Sequence, residues 1–584
     1  MSSDDYWAGL FPPHVLREYA MIADGERGAM IGPRGDISWM CAPNWHSGAV
    51  FAAMIGGGGC YAITPQDPRF VWGGYYEDES LIWRSRWITS TGVVECREAL
   101  AYPGDPRTAV LLRQVVAVDA PARVRVMLDV RADFGKHPMT RLKRDADSWT
   151  GRSGPLRLRW SGAGQARVHD YGLDLVVDLE AGERHDFVLE VSDQDLPAEP
   201  VDAGHAWKST ENAWRAVVPD LSASLAPRAS RHSYRVLAGM TRADGGMVAA
   251  ATTSLPERAE AGRNYDYRYV WIRDQCYAGQ AVAADGPHRL LDDAVSFVAA
   301  RVLQDGSQLR PAYTIDGGPV PDERALPGLT GYPGAIAKTG NWVNRQFQLD
   351  ALGEALLLFA AAARHDHLDS WHWQAVEATV AAIRDRQGDA DAGVWELDDQ
   401  RWAHSRLTCA AGLRAIAAAG AAGRQAGAWE TLADALVAGA ASECLHPSGR
   451  WQRAPGDERV DAALLLPVIR GATSASDARA VATFRAVRDD LASDGYLYRF
   501  RHDQRPLHAS EGAFLLCGFV MSLALEQQGE HAEAVGWFER NRAACGPPGL
   551  LTEEFDVMQH QLRGNAPQAF VHAMLFETAA RLAR

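Results

Sequence analysis

The stretch PDLSASLAPRASRHS, residues 219–233, is where the chain changes its hydrophobic period. Before it, apolar and polar residues alternate in short runs bounded by Gly, Pro and Asp. ARVRVML (122–128) and LRLRW (156–160) send Val or Leu to one face and Arg to the other, as half-buried antiparallel strands do. After it, the spacing becomes helical. EALLLFAAAARH (354–365), LTCAAGLRAIAAAGAAG (407–423), WETLADALVAGAASE (429–443), EGAFLLCGFVMSLALEQQ (511–528) and AFVHAMLFETAARLA (569–583) carry apolar sets at i, i+3 and i+4. Many short strands separated by turns predict a β-sandwich. The Ala- and Leu-rich helices fit a double-layered α-barrel or an α-solenoid, and the lack of a fixed-period repeat lowers the solenoid. The expected division is 1–225 and 226–584, with 219–233 as a linker.

A chain of 584 residues, 47% hydrophobic, can bury more than one core, which excludes disorder as its main state. Its formal charge of −15 works against phosphate neutralisation, so no nucleic-acid partner is expected. No apolar run reaches the roughly 18 residues of a spanning helix, and the start MSSDDYWAGLFPP lacks a basic region followed by an apolar one. The eight cysteines are scattered without a C-x-x-C pair, as in a reduced, cytoplasmic protein. No cofactor motif or metal-ligand spacing stands out, and a homo-oligomer is left open. Nineteen tryptophans are the unusual count, and flat indoles suit either cores or sugar rings.

Three segments concentrate chemistry. DADAGVWEL (389–397) puts Trp395 and Glu396 just after an Asp/Gly turn. A carboxyl beside an indole loses part of its water, which favours the protonated form that a general acid needs. The plain alternative is a solvated loop glutamate packed beside a structural tryptophan. GLLTEEFD (549–556) offers two adjacent glutamates after a Pro/Gly break, one of which could serve as a general base; the alternative is an acidic capping cluster. Paired acid and base carboxyls from distant loops are what glycoside hydrolysis requires. RNYDYRYVWIRD (263–274) packs three tyrosines, a tryptophan, three arginines and two aspartates into a dozen residues. That density fits a polyol pocket, or else a polar seam between domains. The glycine run 56–59 lacks a following Gly-Lys-Ser/Thr, and His365, His367 and His372 lack a second ligand group, so neither reads as a phosphate or metal site.

Taken together and in order, these segments resemble glycoside hydrolase family 15, the glucoamylase and trehalase family. The resemblance extends through REYAMIADGERGAMIGPRGDISWMCAPNWHSGAVFAAMIG (17–56), YDYRYVWIRD (265–274), LTGYPGAIAKTGNWVNRQFQLDALGEAL (329–356), GVWEL, DGYLYRFR (494–501), EGAFLLCGF (511–519), and GLLTEEFD with GNAPQAFVHA (564–573). It implies an N-terminal antiparallel β-sandwich followed by an (α/α)6 barrel with the site at its loop-rich end. It further implies Glu396 as general acid and Glu553 as general base, with Glu554 a neighbour. Arg273 and Asp274 would hold the terminal glucose, Tyr267, Trp271 and Trp395 would line the site, and Arg499 would bind substrate. The implied reaction is inverting, exo-acting release of β-D-glucose from an α-glucoside, either a malto- or isomalto-oligosaccharide or trehalose. A glycoside phosphorylase of similar architecture and a carbohydrate-binding protein without catalysis are the alternatives. Asp398 and Lys338 depart from residues frequent in bacterial relatives, on the expected leaving-group side.

Overall fold

A computed structural model describes residues 3–170, 172–258, 263–419, 423–502 and 504–584. The N-terminal part contains two eight-stranded antiparallel sheets. One runs Ala20–Ala23, Gly28–Ile31, Asp36–Cys41, Cys60–Pro65, Ala122–Asp129, Gly172–Leu179 and Arg167–His169, with Ala49–Phe51 paired to Asp36–Cys41. The other runs Met139–Asp145, Ser148–Ser153, Leu156–Ser161, Arg184–Ser192, Thr108–Ala117, Val93–Leu100, Trp83–Thr89 and Phe70–Tyr76. Alternation places Val124, Val126 and Leu128 of one sheet in the same core as Leu156, Leu158, Trp160, Trp83 and Trp87 of the other. Trp83, Trp87 and Trp160 are thus packing residues. Arg159 is also buried, because Glu190 on the paired strand meets it at 2.6 Å.

Two boundaries differ from the sequence expectation. The helix Ala203–Val217 lies within the region read as all strand; Trp207 and Trp214 pack it onto the sandwich, Trp214 stacking on Tyr102 at 4.0 Å. The linker is also shorter than 219–233. Helix α1, Pro227–Met240, starts with proline at its first turn, where the missing N–H costs nothing, and the polar run RASRHS belongs to it with His232 and Ser233 buried.

The rest of the chain is an (α/α)6 barrel. The helices following α1 are α2 (Ile272–Ala283), α3 (Arg289–Asp305), α4 (Leu349–Ala363), α5 (Ser370–Arg386), α6 (Ala403–Ala417) and α7 (Ala426–Glu443). The last five are α8 (Leu466–Ile469), α9 (Ala478–Leu491), α10 (Leu515–Gln527), α11 (His531–Arg542) and α12 (Ala569–Arg581). The even-numbered helices contact one another in sequence and close the ring from α12 back to α2, and the odd-numbered ones pack outside. Inner helices α4, α10 and α12 are buried on nearly every side. Alanine alone does not bring α4 and α6 together: a Cβ on Gly353 would lie 2.6 Å from the Cys409 backbone nitrogen. Some expected helical runs exceed their helices, at the end or at the start. Residues 418–419 and 423 of the 407–423 run lie beyond α6, with 420–422 outside the described residues, and 511–514 is extended because Ala513–Phe514 pairs with Glu554–Asp556.

The two parts meet behind the loop 265–271. Arg268 is fully buried and donates to Asp266 at 2.7 Å and to the Ser47 carbonyl at 2.8 Å, while Trp39 donates to the Ala251 carbonyl. The sandwich therefore braces the segment carrying Tyr267 and Trp271.

Candidate active site

The chemically loaded loops all lead into the N-termini of inner helices. Val270–Trp271 runs into α2, residues 391–397 precede α6, residues 496–514 precede α10, and residues 551–568 precede α12. Backbone N–H groups left unpaired at those helix starts favour negative charge nearby. Around them is a cleft of about 900 Å³ whose lining includes Glu257, Tyr267, Arg273, Trp395, Glu396, Arg499 and Glu553. Residues from four distant stretches are thus gathered into one space.

Glu396 sits in a turn tied down by Asp391. Its Oδ1 accepts from the Gly393 N–H at 2.8 Å and the Ser405 hydroxyl at 2.9 Å, and Trp402 donates to its carbonyl. Glu396 itself adopts a left-handed backbone with φ 56°, a conformation costing a non-glycine residue on the order of 1 kcal/mol. The indole touching it is not its sequence neighbour. Trp271 donates to Glu396 Oε1 at 2.7 Å, whereas Trp395 donates to Asp461 at 2.9 Å and packs on Phe514. Trp271 is itself buried one layer behind the cleft, edge-on to Tyr267 at 5.4 Å.

Arg273 spans three neighbours. It donates to the Val394 carbonyl at 2.7 Å and to Asp274 at 3.1 Å, and lies 3.5 Å from Glu396 Oε1. Asp274 is fully buried; burial pushes its carboxyl up to about 6 against the pull of Arg273, and its Oδ1 has no hydrogen-bond partner among the described residues. Arg499 is held by Glu511 at 2.5 Å and lies over Trp395 and Phe514, with His502 bonded to the same Glu511 carboxylate. Arg499 and His502 hold the Glu511 carboxyl down at about 2 despite burial.

The adjacent glutamates of TEEFD separate by strand alternation. Glu553 lines the cleft with Oε2 unpartnered among the described residues, and its backbone carbonyl accepts from the Leu515 N–H at 3.0 Å. Glu554 turns inward, where its carboxylate accepts the Gly512 N–H at 2.9 Å. His572 holds the approach by accepting the Leu551 N–H at 3.1 Å. Burial and the neighbouring Glu257 push Glu553 well above the usual carboxylate range, while Arg499 and Arg273 oppose that shift. Asp398 and the partly exposed Trp342 stand on the cleft wall; Lys338 instead pairs with Glu323 at 3.3 Å and lies over the Tyr265 ring. Sequence reading missed Glu257, one of two glutamates in the charged run PERAEAGR, with no signal setting it apart.

An (α/α)6 barrel whose inner-helix loops gather carboxyls, arginines and aromatics around one cleft defines a glycoside hydrolase. The chain belongs to glycosyl hydrolases family 15, whose model matches residues 231–580, and a trehalase-like N-terminal model matches residues 7–214. It is 27% identical to a trehalase of Mycolicibacterium smegmatis, over 98% of this chain and 92% of that one. It is also 27% identical to a trehalase of Thermoplasma acidophilum, over 95% of this chain and 98% of that one. A bacterial glucoamylase solved with acarbose superposes with TM-score 0.72 at 14% identity, covering 97% of this chain and 94% of the other, which establishes the shared fold. Among the described residues no helix is long and apolar enough to cross a membrane.

Proposed function

We propose that this protein is an inverting, exo-acting α-glucosidase whose substrate is trehalose, cleaved by Glu396 as general acid and Glu553 as general base. The observation that carries the reading is that these two carboxyls, 157 positions apart in the chain, line one cleft together with Arg273 and Arg499. Trehalose is favoured over malto- and isomalto-oligosaccharides because the full-length relatives described above, similar through the N-terminal region as well as the barrel, are trehalases.

In this reading the glycosidic oxygen takes the proton of Glu396 while Glu553 removes a proton from water attacking the anomeric carbon on the opposite face. Trp271 and Arg273 fix Oε1 of Glu396, leaving the other oxygen to face the leaving group. Arg273, on the cleft lining, donates to a sugar hydroxyl, and Asp274, buried behind it, aligns that guanidinium. Tyr267 and Trp395 offer apolar ring surface to the sugar, and Arg499 adds a fixed donor. The domain carrying this chemistry is assigned to residues 226–584. Cytoplasmic location is part of the proposal, supported by eight unpaired cysteines, seven of them buried.

The test is to offer trehalose, maltose and isomaltose with and without inorganic phosphate. Phosphate-independent glucose release, fastest from trehalose, is expected. Glucose 1-phosphate as product would replace this reading with a phosphorylase. Glu553→Gln and Glu396→Gln should each lower the rate on the order of 10²–10⁴-fold.

A further inference from the structure

Between the strand-bearing segment of Glu553 and the loop before α2 lies a carboxyl with no role in the mechanism above. Glu257 lines the cleft, is only 6% exposed, and receives no side-chain hydrogen bond from the described residues. Its backbone is fixed on both sides: its N–H donates to the Arg263 carbonyl at 2.9 Å, and the preceding Pro256 carbonyl accepts from Gly564 at 2.8 Å. Gly564 is also what separates Glu257 from Glu553. A Cβ on that glycine would sit 3.7 Å from Glu553 Oε2 and 3.9 Å from Glu257 Cγ, so both side chains reach the same small volume. Glu553 Oε2, the oxygen near that volume, has no hydrogen-bond partner among the described residues. Two largely buried carboxyls facing one small volume ionise together only at a cost, because like charges repel strongly where both are desolvated.

We propose that Glu257 is a positioning residue of the hydrolytic site that shares one proton with Glu553 across Gly564. The proposal rests on Glu553 being the base. In the resting pair one oxygen carries the shared proton and the other carboxylate is ionised. When water attacks, its O–H bond breaks, its oxygen bonds to the anomeric carbon as the bond to the glycosidic oxygen breaks and that oxygen takes the Glu396 proton, and the water's proton passes to the ionised member, leaving both carboxyls protonated. Loss of one proton to solvent, matched by reprotonation of Glu396, restores the pair.

The groups facing Glu257 support a shared proton over a simple ion pair. Arg263 and Arg499 approach it, but Arg499 is committed to Glu511, and Glu396, Glu553 and Glu554 surround it with further negative charge beside the phenols of Tyr265 and Tyr267. Burial and the carboxylates of Glu511 and Glu396 push Glu257 up to about 7 despite the two arginines.

The test compares full-length wild type with Glu257→Gln and Glu257→Asp. Glu257→Gln should move the acidic limb of the kcat/KM profile down by about one pH unit, because Glu553 then ionises beside a neutral amide, and should lower kcat about tenfold. Glu257→Asp should restore most of the wild-type limb. A limb left in place in Glu257→Gln would overturn the proposal whatever happens to kcat, and so would a loss as complete as that of Glu553→Gln, which would make Glu257 the base. Carboxyl 13C titration of Glu553 in the same variants reads the coupling without turnover. A downward shift in Glu257→Gln supports it, an unchanged titration refutes it, and both remain readable if no α-glucoside is cleaved and the hydrolase reading itself fails.

Discussion

The indole N–H of Trp271 meets Oε1 of Glu396 at 2.7 Å, joining residues 125 positions apart. A donor fixed in the core thereby holds a carboxyl on a strained turn, and it does so from behind, leaving the cleft side open. Trp271→Phe keeps the ring and removes the N–H. Losing a hydrogen bond to an ionisable group costs about 1.5–3 kcal/mol, so kcat should fall roughly 10–100-fold. Steady-state kinetics should show that fall with KM changed much less, since Trp271 does not line the cleft.

The rate should depend on pH through Glu553. A base works ionised, and Glu553 is pushed above its ordinary value of 4.5 by burial and by Glu257. Activity is therefore retained above the raised value and lost as pH falls through it. The acidic limb of kcat/KM should lie well above pH 4.5 in a profile recorded from about pH 4 to about pH 9.

Arg268 and Asp266 form a fully buried pair that also reaches the Ser47 carbonyl of the sandwich. Removing the cation strands Asp266 in the interior, where an uncompensated charge costs about 3–5 kcal/mol. Arg268→Ala should lower the melting temperature by several degrees and reduce activity through displacement of Tyr267 and Trp271, measured by calorimetry alongside kinetics. Arg268→Lys should recover only part of either, since one ammonium cannot replace the forked contacts.

Glu354, deep among the inner helices, accepts a hydrogen bond from Gln280 at 2.7 Å and is pushed up to about 7 by burial. The unfolded chain releases this proton near pH 4.5, so the native state binds more protons between those values and stability from this group is lost as pH rises through about 7. Glu354→Gln should remove up to about 3 kcal/mol of that dependence. Melting temperatures at pH 5 and pH 8 should differ less in the variant than in wild type, with the variant the more stable at pH 8 relative to wild type.

Much of the architecture was legible because period is a local property. Alternation in ARVRVML and helical spacing in AFVHAMLFETAARLA each encode their own burial; the first lies inside its strand and the second overruns its helix by two residues. The helix Ala203–Val217 was hidden because its buried set is only Ala206, Trp207, Thr210 and Trp214 on an otherwise polar run. The loops carrying Glu396 and Glu553 were visible through motifs and turn residues. Which indole meets Glu396 was not, because a contact across 125 residues depends on ring closure of the barrel. Nor could the residues alone separate Glu553 from Glu554; strand alternation beside Ala513–Phe514 does so in three dimensions. Glu257 acquires meaning only from its distance to Glu553.

The central claim is inversion by the Glu396 and Glu553 pair, and the anomers released from trehalose test it most directly. Hydrolysis with inversion yields one β-glucose from the attacked unit and one α-glucose from the leaving unit. Proton NMR within the first minutes, before mutarotation, should show the two anomers in equal amounts. Release of α-glucose alone would contradict the account.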